Sequence, residues 1–343
     1  MARIALDAMG GDFAPQATVA GALTALAELD PSHVIQLVGR ADVIREQLDT
    51  LLTGEYAGLA GVRARIEIVE APDVIEMTDK PSVAIRGKPN SSMVVGLRLQ
   101  AEGKSDAFVS AGNTGAQMAA SVVTLKLHDG LTRPAIATVF PTTRHAVVVL
   151  DSGANVDCSP QELVQFARLG AVFAEDVLGR REPGVGLLSI GEEPEKGNAV
   201  VKEAHQLLKD AGVNFRGNVE GRDILKGAND QGQVDVVVCD GFVGNVVLKF
   251  YESVAPLLVG TLVEHGFDKG KLTEALRHID SDSVGGAPLL GVRGISIICH
   301  GKSSPRAIHN AILGAVQAVE HQMDDHIGRR LGAAGHGAEA SAS

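Results

Sequence analysis

The chain has 343 residues, 45% hydrophobic and only 3% aromatic, with 40 glycines in no collagen-like period, which excludes fibrous and low-complexity classes and leaves a globular protein with an aliphatic core. Thirty-one Lys+Arg against 42 Asp+Glu give a net charge of -11, and with no Trp and two Tyr this argues against nucleic acid as a partner. The first residues run straight into an apolar stretch without a basic and apolar leader, so export is not expected and the chain reads as cytoplasmic.

In chain order, apolar runs read as buried strands over 4–8, 34–38, 66–69, 107–109, 135–139, 146–150, 185–190, 234–239 and 295–299. Helical patterns separate most of them. Five of these runs end in short turns of glycine with Asn, Asp, Ser or His: Asp7 to Asp12, Ser110 to Gly115, Asp151 to Asn155, Asp240 to Asn245, and His300 to Ser304. Ser159-Pro160-Gln161-Glu162 has the spacing of a capping box, and Ser304-Pro305 opens the last helix in a similar way. The three cysteines, Cys158, Cys239 and Cys299, are far apart and form no CxxC pair, as in a reduced compartment.

This alternation predicts an α/β fold, a three-layer sandwich with a largely parallel sheet. It occupies residues 1–328 as one domain or as two lobes around a cleft, and the Ala, Gly and Ser of 329–343 are expected to be disordered. Residues 254–263 are ten in a row without a charge, short of the ~20 that a membrane span needs. They suit a core or dimer helix, or an apolar tip at a membrane surface.

No G-x-G-x-x-G follows a strand, and neither G-x-S-x-G nor H-E-x-x-H occurs. Glu192, Glu193 and Glu195 read as a solvated acidic loop, their spacing matches no metal loop, and neither metal nor cofactor is expected. What remains is a set of strand-end turns suited to a small oxyanion. The turn after 107–109 would present N–H groups of Gly112, Asn113 and Thr114, with the Ser110 and Thr114 hydroxyls beside them; the same position equally suits Asn113 to a helix cap alone.

Taken together, Asp7 to Asp12, Lys88-Pro89-Asn90-Ser91-Ser92-Met93, Ser110 to Ala116, Ile190-Gly191-Glu192-Glu193 with Lys196-Gly197, Asn218 to Gly221, Asp240 to Asn245, Gly285 to Gly291 and His300-Gly301 resemble, in order, the PlsX-type phosphate acyltransferases. The resemblance implies transfer of a fatty acyl group from acyl-[acyl carrier protein] to inorganic phosphate, giving acyl phosphate for phospholipid synthesis. It implies a homodimer with a fold similar to the isocitrate and isopropylmalate dehydrogenases. It also implies a downstream integral-membrane acyltransferase that acylates glycerol 3-phosphate, and a helical segment at about 243–280 that protrudes and makes peripheral membrane contact.

Under that resemblance, phosphate is expected on Ser110, Gly112, Asn113, Thr114 and Gly115, with Gly10 and Gly11 shaping the floor. Lys88 serves as a cationic clamp, Asn245 donates to the thioester oxygen, and His300 handles a proton or else only caps backbone. Asp7 and Asp240 support their turns. Leu257, Leu258, Val259, Leu262, Val263 and Phe267 form the membrane or partner tip, and Arg63, Arg65, Arg86, Arg293 and Arg306 are candidates for a patch facing the acidic carrier protein. An acyl-CoA phosphotransacetylase and a noncatalytic scaffold at the membrane surface remain the alternatives.

Overall fold

The computed structural model describes residues 1–142, 144–276 and 285–340. The chain divides into two compact units, one of Met1–Leu127 with Val284–Asp324 and one of His128–Ser283 with Asp325–Ser343. Each carries its own sheet, where the sequence reading has one.

In the first unit the chain runs β1 (Arg3–Asp7), α1 (Gln16–Glu28), β2 (Val34–Gly39), α2 (Ala41–Thr53), a 3₁₀ stretch Ala57–Arg65, β3 (Ile66–Glu70), α3 (Pro81–Gly87), α4 (Ser92–Ala101), β4 (Ala107–Ser110) and α5 (Thr114–Leu125). It returns to this unit with β13 (Ala287–Leu290), β14 (Ile295–Ile298) and α11 (Pro305–Glu320). The strands lie in the order β3-β2-β1-β4-β14-β13, all parallel neighbours except the antiparallel β13-β14 pair. β4 and β14 are buried along their whole length, and β1 is buried from Ile4 on, as strands covered by helices on both faces must be.

The second unit contains β5 (Ala135–Ile136), β6 (Thr138–Pro141), β7 (Ala146–Leu150), α6 (Pro160–Asp176), β8 (Gly184–Leu188), α7 (Ala199–Lys209), β9 (Asn214–Val219), α8 (Gly221–Lys226), a small hairpin β10 (Ala228–Asn229) and β11 (Gly232–Gln233), and β12 (Val236–Val238). After these come α9 (Gly241–Glu264), α10 (Lys269–Ala275) and α12 (Met323–Ala340). Its sheet has the order β6-β7-β12-β8-β9, parallel throughout except for the edge strand β6. The predicted run 135–139 is thus two short strands. The tail expected to be disordered from 329 on is helical through Ala340, where the Ala content favours helix, and 341–343 lie outside the described residues.

One local device recurs where strands give way to helices. A Ser, Asn or Asp in extended conformation turns its side-chain oxygen onto an N–H of the first helical turn: Ser91 to Val94, Asn113 to Ala116, Ser159 to Glu162, Asn198 to Val201, Asp240 to Val243 and Ser304 to Ala307. At Ser159 the Glu162 carboxylate also accepts from the Ser159 N–H at 2.8 Å, completing the capping box read from the sequence.

Candidate active site

In the first unit, strands β1, β4 and β14 are neighbours, so the turns that follow them emerge side by side at one edge of the sheet. Cys299 N–H donates to the Ser110 carbonyl at 2.8 Å, and Asp12 N–H donates to the Gly301 carbonyl at 2.7 Å, tying the three turns together. The structure thereby gathers Asp7, Gly10, Gly11, Ser110 to Gly115 and His300.

Asp7 anchors the group. It is buried, takes the Ser110 hydroxyl hydrogen on Oδ2 at 2.7 Å, and takes the Met9 N–H on Oδ1 at 3.1 Å. Burial pushes its carboxyl above the ordinary range, while hydrogen bonds from Ser92, Ser110, Met9 and Gly10 pull the other way. Ser110 Oγ in turn accepts the Gly112 N–H at 3.0 Å. The Ser110 hydrogen is therefore spent on Asp7, and Ser110 shapes the turn instead of donating to an anion. Gly10 must lack a side chain: a Cβ there would lie 2.6 Å from Asp7 Oδ2 and 2.8 Å from Gly112 N. Gly11 has φ +105, a conformation that favours glycine.

Asn113 takes the helix-cap role, one of the two that the sequence offers. Its Oδ1 accepts the Ala116 N–H at 3.0 Å as the cap of α5, and its Nδ2 donates to the carbonyls of Met77 at 3.0 Å and Asp79 at 3.1 Å. The whole amide is thus committed to structure. The donors left to an anion are the N–H groups of Thr114 and Gly115, which lie too early in α5 for an intrahelical partner, and the hydroxyl of the exposed Thr114. Of the strand-end donors read from the sequence, the Ser110 hydroxyl and the Gly112 N–H are engaged within the protein, and the N–H and hydroxyl of Thr114 are left.

Lys88 also departs from expectation. Its Nζ donates to the Val74 carbonyl at 2.8 Å and the Asp79 carboxylate at 2.6 Å, so its charge is matched within the protein and it fastens loop 73–80. That loop, and Asp79 in particular, escaped the sequence reading because nothing in the local pattern marks a lysine's partner nine residues away. Lys302 is an exposed cation in the His300 turn and has no ion pair among the described residues.

His300 is exposed, and its Nδ1 accepts the Lys302 N–H at 3.1 Å. A backbone N–H can only donate, so the neutral ring carries its hydrogen on the outward Nε2. The imidazole presents a proton donor to solvent.

The arginines do not form one patch. Arg63 and Arg65 precede the start of β3 and Arg293 precedes the start of β14, whereas Arg86 lies on α3 and Arg306 in the first turn of α11, beyond strand ends. Arg65 is used structurally, donating to the carbonyls of His33, Leu26 and Asp30.

Asp240 and Asn245 belong to the second unit. Asp240 caps α9 through the Val243 N–H at 2.9 Å. Asn245 is exposed in the second turn of α9. Gly241 and Gly244 seat this end of the helix: a Cβ on Gly244 would fall 1.9 Å from the Asp151 carbonyl oxygen. Asp151 itself is buried and accepts N–H groups of Ile136, Ala154 and Asn155, with its carboxyl raised by burial.

Beyond this seat α9 carries a long apolar surface. Val243, Val247, Leu248 and Tyr251 pack on the core of the second unit, while Phe242, Val246, Phe250, Leu257, Leu258 and Val263 are exposed, as is Phe267 after the helix; Val259 and Leu262 are half-buried. The sequence reading counts ten residues without a charge here, but the helix is 24 residues long and by length and composition alone is apolar enough to cross a membrane. Its first three turns are tied to the core, which leaves 13 residues from Glu252 to Glu264, about 20 Å at 1.5 Å per residue against the roughly 30 Å of a bilayer core. The free part can enter an interface but not span. Positions 277–280 of the expected protruding segment lie outside the described residues.

The thiols are inert. Burial pushes Cys158 and Cys299 up to about 12 and Cys239 well above its ordinary value, so none is a thiolate near neutrality. Glu192, Glu220 and Asp223 approach one another closely enough to share an ion, but Arg222 and Lys226 already pair with them.

Residues 2–326 match the model of a family described as fatty acid synthesis protein. A phosphate acyltransferase of Desulforamulus reducens is 46% identical over 333 residues, covering 93% of this chain and 94% of that protein. Another, of Heliobacterium modesticaldum, is 47% identical over 331 residues with 93% and 94% covered. Among solved structures, a phosphotransacetylase from Streptococcus pyogenes superposes with a TM-score of 0.60 at 17% identity, covering 93% of this chain and 94% of that one. The EutD phosphotransacetylase from Staphylococcus aureus gives 0.58 at 15% identity with the same coverage. At such identities the structural likeness establishes the mixed α/β fold alone.

Proposed function

Since the chain belongs to the fatty acid synthesis protein family and, within it, is an acyltransferase enzyme of the phosphate acyltransferase kind, we propose that it moves a fatty acyl group from acyl-[acyl carrier protein] to inorganic phosphate. The observation that carries this reading is the Asp7–Ser110–Gly112 chain, which fixes a turn whose Thr114 and Gly115 N–H groups have no partner among the described residues. Such a turn holds a phosphate oxygen without a nucleotide loop. Phosphate is a competent nucleophile and a thioester an activated donor, so orientation and oxyanion stabilisation are the main demands on the enzyme. A phosphate oxygen bonds to the acyl carbon, the C–S bond breaks, and the thiolate leaves and takes its proton from solvent, with the outward Nε2–H of His300 as the proposed hydrogen-bond donor to the departing sulfur. Asn245 is the proposed donor to the thioester oxygen.

The product, an acyl phosphate, supplies phospholipid synthesis through an integral-membrane enzyme that acylates glycerol 3-phosphate. The exposed stripe of Phe242, Val246, Phe250 and Leu257 on α9 supports a homodimer of a cytoplasmic protein. The apolar end of the helix supports contact with the membrane surface. The finer fold proposed is the isocitrate and isopropylmalate dehydrogenase type.

The test is acyl phosphate formation by the purified protein from phosphate and a long-chain thioester of acyl carrier protein, in parallel with the same acyl group on coenzyme A. Product from the carrier-protein thioester is expected. Product from coenzyme A alone would replace the donor, and none from either would end the enzymatic assignment.

A further inference from the structure

Two exposed apolar side chains stand beside the anion turn of the first unit, and the chemistry above uses neither. Phe13, 55% exposed, follows the Gly10 to Asp12 turn, and Met77, 46% exposed, lies in loop 73–80. Both loops meet at Gly301. Asp12 N–H donates to its carbonyl at 2.7 Å, and a methyl group built on its Cα would lie 2.9 Å from Met77 Cε. The Met77 backbone is held in place as well: its carbonyl accepts Asn113 Nδ2 at 3.0 Å, and two residues on, Asp79 is gripped by Lys88 at 2.6 Å. Scattered exposed apolar residues are ordinary on a protein surface. These two sit on separate loops that meet at one glycine next to His300.

Acyl transfer brings two chemically unlike groups to this place. The phosphate is served by N–H and hydroxyl donors, but the alkyl chain attached to the reacting carbonyl needs apolar surface, and Asp12, His300 and Lys302 offer none. Resting on the acyl-transfer reading, we infer that Met77, with Phe13 on the neighbouring loop, receives the fatty acyl chain next to the reacting carbonyl and sets the preference for that chain. An unbranched, polarizable thioether adapts to a flexible alkyl chain better than a β-branched residue would.

Replacing Met77 by Ser is expected to raise KM for a long-chain acyl thioester by about tenfold, leave KM for phosphate nearly unchanged, and weaken the preference for the long chain over an acetyl thioester. Met77→Leu keeps the apolar volume and is expected to restore the profile. An unchanged chain profile in Met77→Ser, or an equal rise in KM for phosphate, overturns the inference. A second readout does not depend on turnover: a nonreactive long-chain alkyl thioether of acyl carrier protein is expected to shield Met77 of the wild-type protein from peroxide oxidation, with the exposed Met1 as reference and inorganic phosphate alone giving no shielding. Absence of shielding overturns the inference even in an active enzyme. Failure to make acyl phosphate, with Met77 still shielded, removes the reaction and keeps the contact.

Discussion

Lys88 and Asn113 hold one residue from two sides. The Lys88 ammonium takes the Asp79 carboxylate at 2.6 Å, and the Asn113 amide takes the Asp79 carbonyl at 3.1 Å. A residue from the start of α4's approach and one from the cap of α5 thus lock loop 73–80 onto the helix whose first turn carries the free N–H groups.

That lock is sensitive to acid. The Lys88 ammonium foremost, and then the Glu76 N–H, hold the Asp79 carboxyl below its ordinary value of 3.8. A depressed folded value contributes stability that is present above the unfolded value and lost as pH falls through the folded one. The stability difference between wild type and Asp79→Asn, followed by urea unfolding down the pH scale, should be constant above about pH 4 and shrink below it. A difference that survives strong acid would show that the pair does not act through its charge.

Asn113 can be dissected by two substitutions. Asn113→Ala removes both the cap and the loop contacts and should cost about 1–2 kcal/mol with a rise in KM for phosphate. Asn113→Ser keeps the capping oxygen and loses only the grip on the loop, so it should recover most of the stability and little of the activity. Equal thermal melts for the two variants would mean that the cap contributes nothing.

Ser110→Ala strips a hydrogen bond from a buried carboxylate and another from the Gly112 N–H. The expected loss is about 1–3 kcal/mol, read by denaturant unfolding, together with weaker phosphate binding because the turn is no longer fixed. Unchanged phosphate affinity would detach this chain of bonds from the anion site.

Cys158→Ser should turn over normally, and the wild-type enzyme should survive iodoacetamide at neutral pH. With the thiol pushed up to about 12, only about one molecule in 10⁵ is a thiolate at pH 7. Trapping of an acyl group on this cysteine would reverse the conclusion.

Gly244→Ala places a methyl group on backbone, 1.9 Å from the Asp151 oxygen, which no rotamer change relieves. A loss of about 3 kcal/mol is expected, with faster amide exchange concentrated in the first turns of α9.

The strands were largely legible because covered parallel strands are written as uninterrupted apolar runs. β9 was not, since Asn214–Val219 contains Arg216, Gly217 and Asn218 and lies at a sheet edge; nor was β13, which is short and contains Pro288. Nothing local tells a strand which sheet it joins, so two sheets looked like one. At the site, glycines and caps announced the turns. The loop contacts of Asn113 and the uses of Ser110 and Lys88 did not show, because each is fixed by a polar partner supplied by another loop or strand, as when Asp7 meets Ser110 across 103 positions.

The place of β14 between β4 and β13 dictates an order of events during synthesis. β4 and the Ser110 turn leave the ribosome early, but their neighbour is not made until the whole segment 128–283 has been translated. Until then the β4 edge is open and the Ser110 carbonyl lacks the Cys299 N–H. A nascent chain, or a truncation before residue 295, therefore exposes an unpaired strand edge in the middle of its future sheet and cannot assemble the His300 turn, which makes the last sixth of the chain the step that completes the first unit.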